Sequence, residues 1–243
     1  MTERLLAIMA RLRDPDSGCP WDIAQTPSSI VPYTIEEAYE VADAVASGDP
    51  AALRDELGDL LLQVVFQSRI AEEAGDFTYT DVVAAICDKM ERRHPHIFGD
   101  GTPGPGWEAI KAAERGSNGA LAGVASALPA LSRAEKLQKR AARVGFDWPD
   151  AAGPRAKVVE ELTEVDEATG AAVAEEIGDL LFSVTNWARH LGIDAEAALR
   201  SANTKFEQRF ASMEALAGDT FAGLSLDQKE ALWQRVKTQP IAG

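Results

Sequence analysis

The sequence predicts an all-α protein made of two similar helical domains, and three observations carry that reading. Apolar and polar residues nowhere alternate over a stretch long enough for a sheet. Alanine is abundant and aromatic residues make up only 7% of the 243 positions, a balance that leans to helix. An ordered set of acidic, basic and aromatic residues occurs twice. A duplication of so long a period indicates two domains, because a solenoid needs three or more short repeats.

The elements follow from their punctuation. Residues 2–13 read as a short amphipathic helix, stopped by the turn-forming run Asp14-Pro15-Asp16-Ser17-Gly18. Cys19-Pro20-Trp21-Asp22 reads as an ordered loop with an aromatic anchor. Thr34 is the expected N-cap of a helix over about 35–47. Asp49-Pro50 opens the next helix, with proline at its first position, and Gly75 ends it. Thr80 is expected to cap a helix over about 81–93 that stops at Pro95. The glycine- and proline-rich run 99–106 is a loop, and Trp107 to Glu114 a short helix. Domains are expected over 1–115 and 128–243, joined by a small-residue linker over 116–127. In the second half helices are expected over about 129–142, 154–168, 173–191, 194–217 and 226–238. Ser225 with Gln228 forms a capping box for the last of them.

The repeat is centred on carboxylates. Glu36, Glu37 and Glu40 precede Glu56 and Asp59; Glu160, Glu161 and Glu164 precede Glu176 and Asp179. Residues three or four apart share a helix face, so packing the two helices of either half brings four acids together. The expected sets are Glu37, Glu40, Glu56 and Asp59, and Glu161, Glu164, Glu176 and Asp179. Like charges at that range repel unless a cation sits among them, and oxygen-only ligands suit Mg²⁺ or Mn²⁺. Acids on helices are more often solvated surface, and Glu37, three residues after Thr34, could simply cap its helix. Recurrence of the whole set, each copy ending against a leucine-rich run where an unpaired charge is costly, favours metal binding.

Other features repeat in the same order. Lys89 and Arg93 match Lys205 and Arg209; Trp107 and Lys111 match Trp233 and Lys237; Trp21-Asp22 resembles Phe146-Asp147. The basic pairs could be an exposed face paired with neighbouring acids. Beside a metal cluster they favour phosphate contact. A helical tryptophan is usually core, but a base-stacking platform would use one too. Glu91-x-x-His94 is half of a di-iron motif without a second copy, so His94, His96 and His190 are read as non-ligands. No GxxxxGK[ST] loop, GxGxxG turn or GxSxG elbow is present.

Composition sets limits. A formal charge of −15 argues against binding a nucleic-acid polymer, though not against a small phosphorylated substrate that arrives with a metal ion. Cys19 and Cys87 form no CxxC pair and imply no disulfide framework, so a reducing cytoplasm is the expected compartment. The N-terminus does not read as a signal peptide, and the longest apolar run, near Leu60 to Phe66, is too short to span a membrane.

With these residues in view, the chain resembles the MazG family of nucleoside triphosphate pyrophosphohydrolases, in its tandem two-domain form. The likeness rests on Cys19-Pro20-Trp21-Asp22, on EExxE…ExxD in both halves and on Glu91-Arg92-Arg93-His94-Pro95-His96. It also rests on Val144-Gly145-Phe146-Asp147-Trp148 and Asn203-x-Lys205-Phe206-x-x-Arg209-Phe210. It implies two four-helix-bundle-like domains, a homodimer, Mg²⁺ or Mn²⁺ as cofactor, and hydrolysis of triphosphates such as ATP to a monophosphate and pyrophosphate. Carried over, Glu161, Glu164, Glu176 and Asp179 are metal ligands, and Glu160, Lys205, Arg209, Trp233 and Lys237 contact the nucleotide. The C-terminal half is the one such tandem proteins usually credit with activity, although the N-terminal half keeps the matching residues. One departure concerns a lysine that relatives carry just before the second acidic segment. Here that stretch is Gly170-Ala171-Ala172-Val173-Ala174, so part of the phosphate grip is missing or supplied elsewhere.

The chemistry expected of such a site is attack of a water on the α-phosphorus with Glu160 or Glu161 as base, Lys205 and Arg209 adding electrostatic stabilisation. The rival reading, from another class, is a non-catalytic nucleotide and metal sensor built on the same bundle.

Overall fold

The structure, a computed structural model, describes residues 1–99 and 119–238. Among them every regular element is helical. The chain divides into two compact units, Met1–Ala113 and Glu114–Gly243. The loop and helix expected between Gly101 and Glu114, with Trp107 and Lys111, lie outside the described residues, as does the start of the expected linker.

In the first unit α1 (Thr2–Leu12) ends at a turn in which Asp14 Oδ1 accepts from the backbone N–H groups of Asp16 and Ser17. The expected loop at Cys19 is instead a short helix, α2 (Pro20–Ala24), with Pro20 at its first position, where a missing N–H costs nothing. Helix α3 (Pro27–Ser47) begins well before Thr34: Thr26 caps it in a reciprocal box with Ser29. Thr34 lies inside, donating to Ile30 O. Glu37 is therefore no capping residue. Gly48, left-handed at φ 70°, and Asp49 make the tight turn into α4 (Pro50–Ala74), and Gly75 at φ 78° closes that helix. The cap of α5 (Tyr79–Arg93) is Thr78 with Asp81, two residues before the expected Thr80. A short α6 (Pro95–Phe98) follows.

Helices α3 and α4 pack side by side as a hairpin, with α1 and α5 against α4. Their core is Met9, Ile30, Val65, Phe66 and Ile70. Arg13, 8% exposed, is satisfied by Glu73 and by the carbonyls of Asp22 and Gln25, which ties the α1–α2 segment to α4.

In the second unit the order is α7 (Ala130–Arg143), α8 (Ala152–Glu167), α9 (Ala172–His190), α10 (Ala195–Ala217), a 3-10 turn (Gly218–Gly223) and α11 (Leu226–Lys237). Asp194 caps α10, and the Ser225–Gln228 box caps α11 as the spacing predicts. Helices α8 and α9 form the hairpin, α7 packs on α9, and α10 carries α11. This interior is more polar: Gln138, Glu161, Ser183, Thr185 and Asn186 are all buried.

Candidate active site

Each hairpin brings acids together, but not the same ones. In the first unit Glu37 of α3 meets Glu56 and Asp59 of α4, with one carboxylate oxygen of each within 4.8 Å of the others. In the second unit the trio is Glu161 and Glu164 of α8 with Glu176 of α9, at the same separation. Glu40 adjoins the first trio, hydrogen bonding to Glu37. Asp179 stands outside the second, lining a cavity together with Glu161. The expected four-acid set is thus three acids plus a neighbour in each half.

Crowding shows in the protonation of these groups. Desolvation, the Glu40 hydrogen bond and the charge of Asp59 push Glu37 above the usual carboxylate range, against a smaller opposing bond from Gln63. Desolvation and its acidic neighbours raise Glu56. Its hydrogen bond with Glu161 raises Glu164, followed by desolvation and the charge of Glu176, with Lys157 opposing. A divalent cation would relieve all three. The second trio also has an unsatisfied oxygen: Glu161 is 4% exposed, and among the described residues its Oε2 has no partner. The donor set and that orphaned oxygen fit a hard cation.

Lys157, one turn before the acids on α8, is the residue the motif reading missed. Its Nζ lies 2.7 Å from both Glu160 Oε1 and Glu161 Oε1. The bonds to Glu160 and then Glu161 raise its pKa further, so it stays charged. The signal was available in the i,i+3 and i,i+4 spacing to those acids. It places a cation beside the cluster, where the Gly170–Ala174 stretch supplies none.

Beyond Lys157 opens a cavity of about 550 Å³. Asp179 and Glu161 line it, Phe146, Trp148 and Leu137 are among its apolar walls, and Gln138, Ser183, Asn186 and Arg189 line it too. Trp148 is seated by Gly153: a Cβ built there would lie 2.0 Å from the indole Cδ1, a clash. Asp147 holds the Phe146–Trp148 loop onto α9. Arg189 grips its two oxygens at 2.9 and 2.5 Å, and His190 Nε2 lies 2.9 Å from Oδ1. The Arg189 hydrogen bonds hold the Asp147 carboxyl down at about 2.

The first unit is built differently at the matching positions. Continuing the two offsets of the repeat pairs Tyr33 with Lys157, Gln63 with Ser183, Phe66 with Asn186 and Ile70 with His190. Phe66 is core, and Trp21 meets Tyr33 and Phe66 edge-on at 5.8 and 6.3 Å. Gln63 donates to Glu37 Oε1 at 3.2 Å. A cavity of about 280 Å³ in this unit lies between α1, α4 and α5 and touches none of the three acids.

Of the other expected contacts, Arg209 sits over the Trp233 ring at 5.8 Å, and Phe206 packs on Trp233 at 5.5 Å. The Arg209 Nε is buried without a partner. Lys205 and Lys237 are exposed, and among the described residues neither pairs with the acidic trio. Glu160 is exposed, and among the described residues it is held by Lys157 alone.

A profile of the MazG nucleotide pyrophosphohydrolase domain matches residues 25–98 and 155–212, one segment in each unit. The chain is 50% identical over 257 residues to a nucleoside triphosphate pyrophosphohydrolase of Escherichia coli strain K12, with 98% of each chain covered. It is 44% identical to a nucleoside triphosphate pyrophosphohydrolase/pyrophosphatase of Thermotoga maritima, covering 97% of this chain and 95% of that one. A nucleoside triphosphate pyrophosphohydrolase of Mycobacterium tuberculosis is 36% identical over 67% of this chain and half of its own length.

Proposed function

As a member of the MazG nucleotide pyrophosphohydrolase family, this chain is a nucleoside triphosphate pyrophosphohydrolase, and we propose that its working site is the C-terminal acidic trio with the adjoining cavity. The observation that carries this assignment is the cavity itself, which is lined by Glu161 and Asp179 together with aromatic and aliphatic side chains and is large enough for a nucleoside. The domains we assign are 1–115 and 128–243.

Glu161, Glu164 and Glu176, with Asp179 beside them, would hold Mg²⁺, or Mn²⁺ in its place. An ion held there screens the triphosphate and lowers the pKa of water. Lys157 keeps Glu161 in position and adds positive charge to the lining of the cavity. Glu160, exposed and outside the trio, is better placed than the buried Glu161 to accept a proton from the attacking water. Arg209, backed by Trp233 and accompanied by Lys205 and Lys237, would bind the phosphates that leave as pyrophosphate. The role is removal of unwanted triphosphates from the nucleotide pool.

A homodimer is part of this reading. Val159 and Leu162 on α8 and Ile177 and Leu181 on α9 are exposed beside the acids, and a second copy of the chain would cover them. Light scattering should give twice the chain mass. Among the described residues no helix is long and apolar enough to cross a membrane, and both cysteines are free, in keeping with the cytoplasm.

The test is product identification with a panel of ribo- and deoxyribonucleoside triphosphates, with Mg²⁺, with Mn²⁺ and with chelator. Monophosphate and pyrophosphate that form only with metal support the assignment. Diphosphate and phosphate would contradict it, and tight nucleotide binding without turnover would favour the sensor.

A further inference from the structure

The chamber beside the acidic trio carries two amide side chains whose orientation is set by chemistry. Gln138 on α7 is 6% exposed. It lies 2.8 Å from the carbonyl oxygen of Phe182, which can only accept, so its Nε2 must face that oxygen. Its Oε1 is then turned the other way, and it is buried with no partner among the described residues. Asn186 on α9, also 6% exposed, lies 2.9 Å and 2.7 Å from two nitrogens of Arg189, which can only donate. Its Oδ1 must face Arg189, and its amino group donates to no protein atom among the described residues. Both residues line the same cavity as Phe146 and Trp148.

A fixed, desolvated acceptor left unsatisfied by the protein itself is a state that structures rarely keep without use, and a fixed donor lines the same chamber. Nucleobases are flat, stack on aromatic rings and present donors and acceptors side by side on one edge. We propose that Gln138 and Asn186 read the base of the substrate. Gln138 Oε1 accepts from an N–H on the hydrogen-bonding edge of the base, and the Asn186 amino group donates to the ring nitrogen or carbonyl next to it. This rests on the assignment of the triphosphate to the adjoining acids. The first unit cannot do the same, because the position matching Asn186 is the core residue Phe66.

The experiment compares matched triphosphates on the Mg²⁺-loaded full chain. ATP is paired with purine ribonucleoside triphosphate, and CTP with the 2-pyrimidinone ribonucleoside triphosphate, each partner lacking only the exocyclic amino group. UTP and GTP are paired with their ring-N-methylated forms. For the base the enzyme prefers, kcat/KM should fall by about 10- to 100-fold when the donor is removed. In Gln138→Leu that ratio should collapse toward one. Equal use of both members of every pair by the unaltered protein would overturn the proposal whether or not the variant folds, and so would a Gln138→Leu protein with an undiminished ratio. Should no triphosphate be hydrolysed at all, the assignment of the reaction fails separately. Calorimetry with the corresponding monophosphate pairs then decides: tighter binding of the donor-bearing member of any pair supports the reading of the base, and equal binding within every pair refutes it.

Discussion

The two units share a hairpin and an acidic pattern, yet one spends its interior on stability and the other on a chamber. In the first, Ile30, Val65, Phe66 and Ile70 form an apolar core with Met9. In the second the matching positions are Pro154, Thr185, Asn186 and His190. Thr185 is as buried as Val65, but its hydroxyl donates back to Leu181 O in its own helix. Asn186 and His190 are recruited by Arg189 and Asp147 into a polar network that props open the cavity wall. Retaining the motif acids therefore does not make two equivalent sites. What separates them is the pair of side chains behind the acids, Tyr33 and Phe66 against Lys157 and Asn186.

The comparison can be broken most sharply through Phe66. Phe66→Ala should cost about 3–5 kcal/mol of stability in urea unfolding, because the core around Met9 and Val65 cannot collapse onto the gap. Asn186→Ala should cost far less, since it borders a chamber that already exists. Similar losses from both variants would mean that the two interiors are alike after all. Filling the chamber is the complementary change. Asn186→Phe should lower kcat/KM for triphosphates on the order of 100-fold by displacing the nucleoside from its reacting position. Steady-state kinetics with unchanged activity would show that the substrate lies elsewhere.

A smaller effect tests the network behind the wall. The Asp147 carboxyl is held at about 2 in the folded protein, below its ordinary value of 3.8. The stability this supplies is present above the unfolded value and is lost as pH falls through the folded one. Asp147→Asn should therefore destabilise by about 1–2 kcal/mol at pH 7, with the variant and the parent converging as the pH approaches 2. A constant gap across that window would assign the contribution to packing instead.

The smallest effect concerns the acids themselves. Glu37, Glu56 and Glu164 are raised, so their crowding weighs on the fold as pH rises through their folded values. Added Mg²⁺ should raise the melting temperature at pH 7 more than at pH 4, where the raised carboxyls of Glu37, Glu56 and Glu164 compete with it for protons. An identical shift at both values would place the ion away from these carboxylates.

Much of this was legible in the sequence, for reasons that differ by element. Asp49-Pro50, Gly75 and Ser225 with Gln228 are strong local signals, and the helices they bound stand where they point. Thr34 misled because Glu37 follows it at capping-box spacing. In the folded chain Pro32 lies inside α3, within the first two turns from the Thr26 cap. The convergence of acids was readable from spacing, but not the choice between Glu164 and Asp179. That choice depends on where each carboxylate turns once α8 and α9 pack. The chamber was the least legible feature. It arises from Asn186, Gln138 and Gly153, none of which carries a motif, and from what is missing behind them compared with Phe66.

The most direct test of the central claim compares Glu56→Ala with Glu176→Ala, the same substitution at matching positions of the two hairpins. Pyrophosphate release from the preferred triphosphate is followed with Mg²⁺, and circular dichroism checks that both variants remain helical. Loss on the order of 100- to 1000-fold in Glu176→Ala beside near-parental turnover in Glu56→Ala is the predicted result. Equal losses, or the reverse order, would contradict the assignment of the reaction to the C-terminal unit.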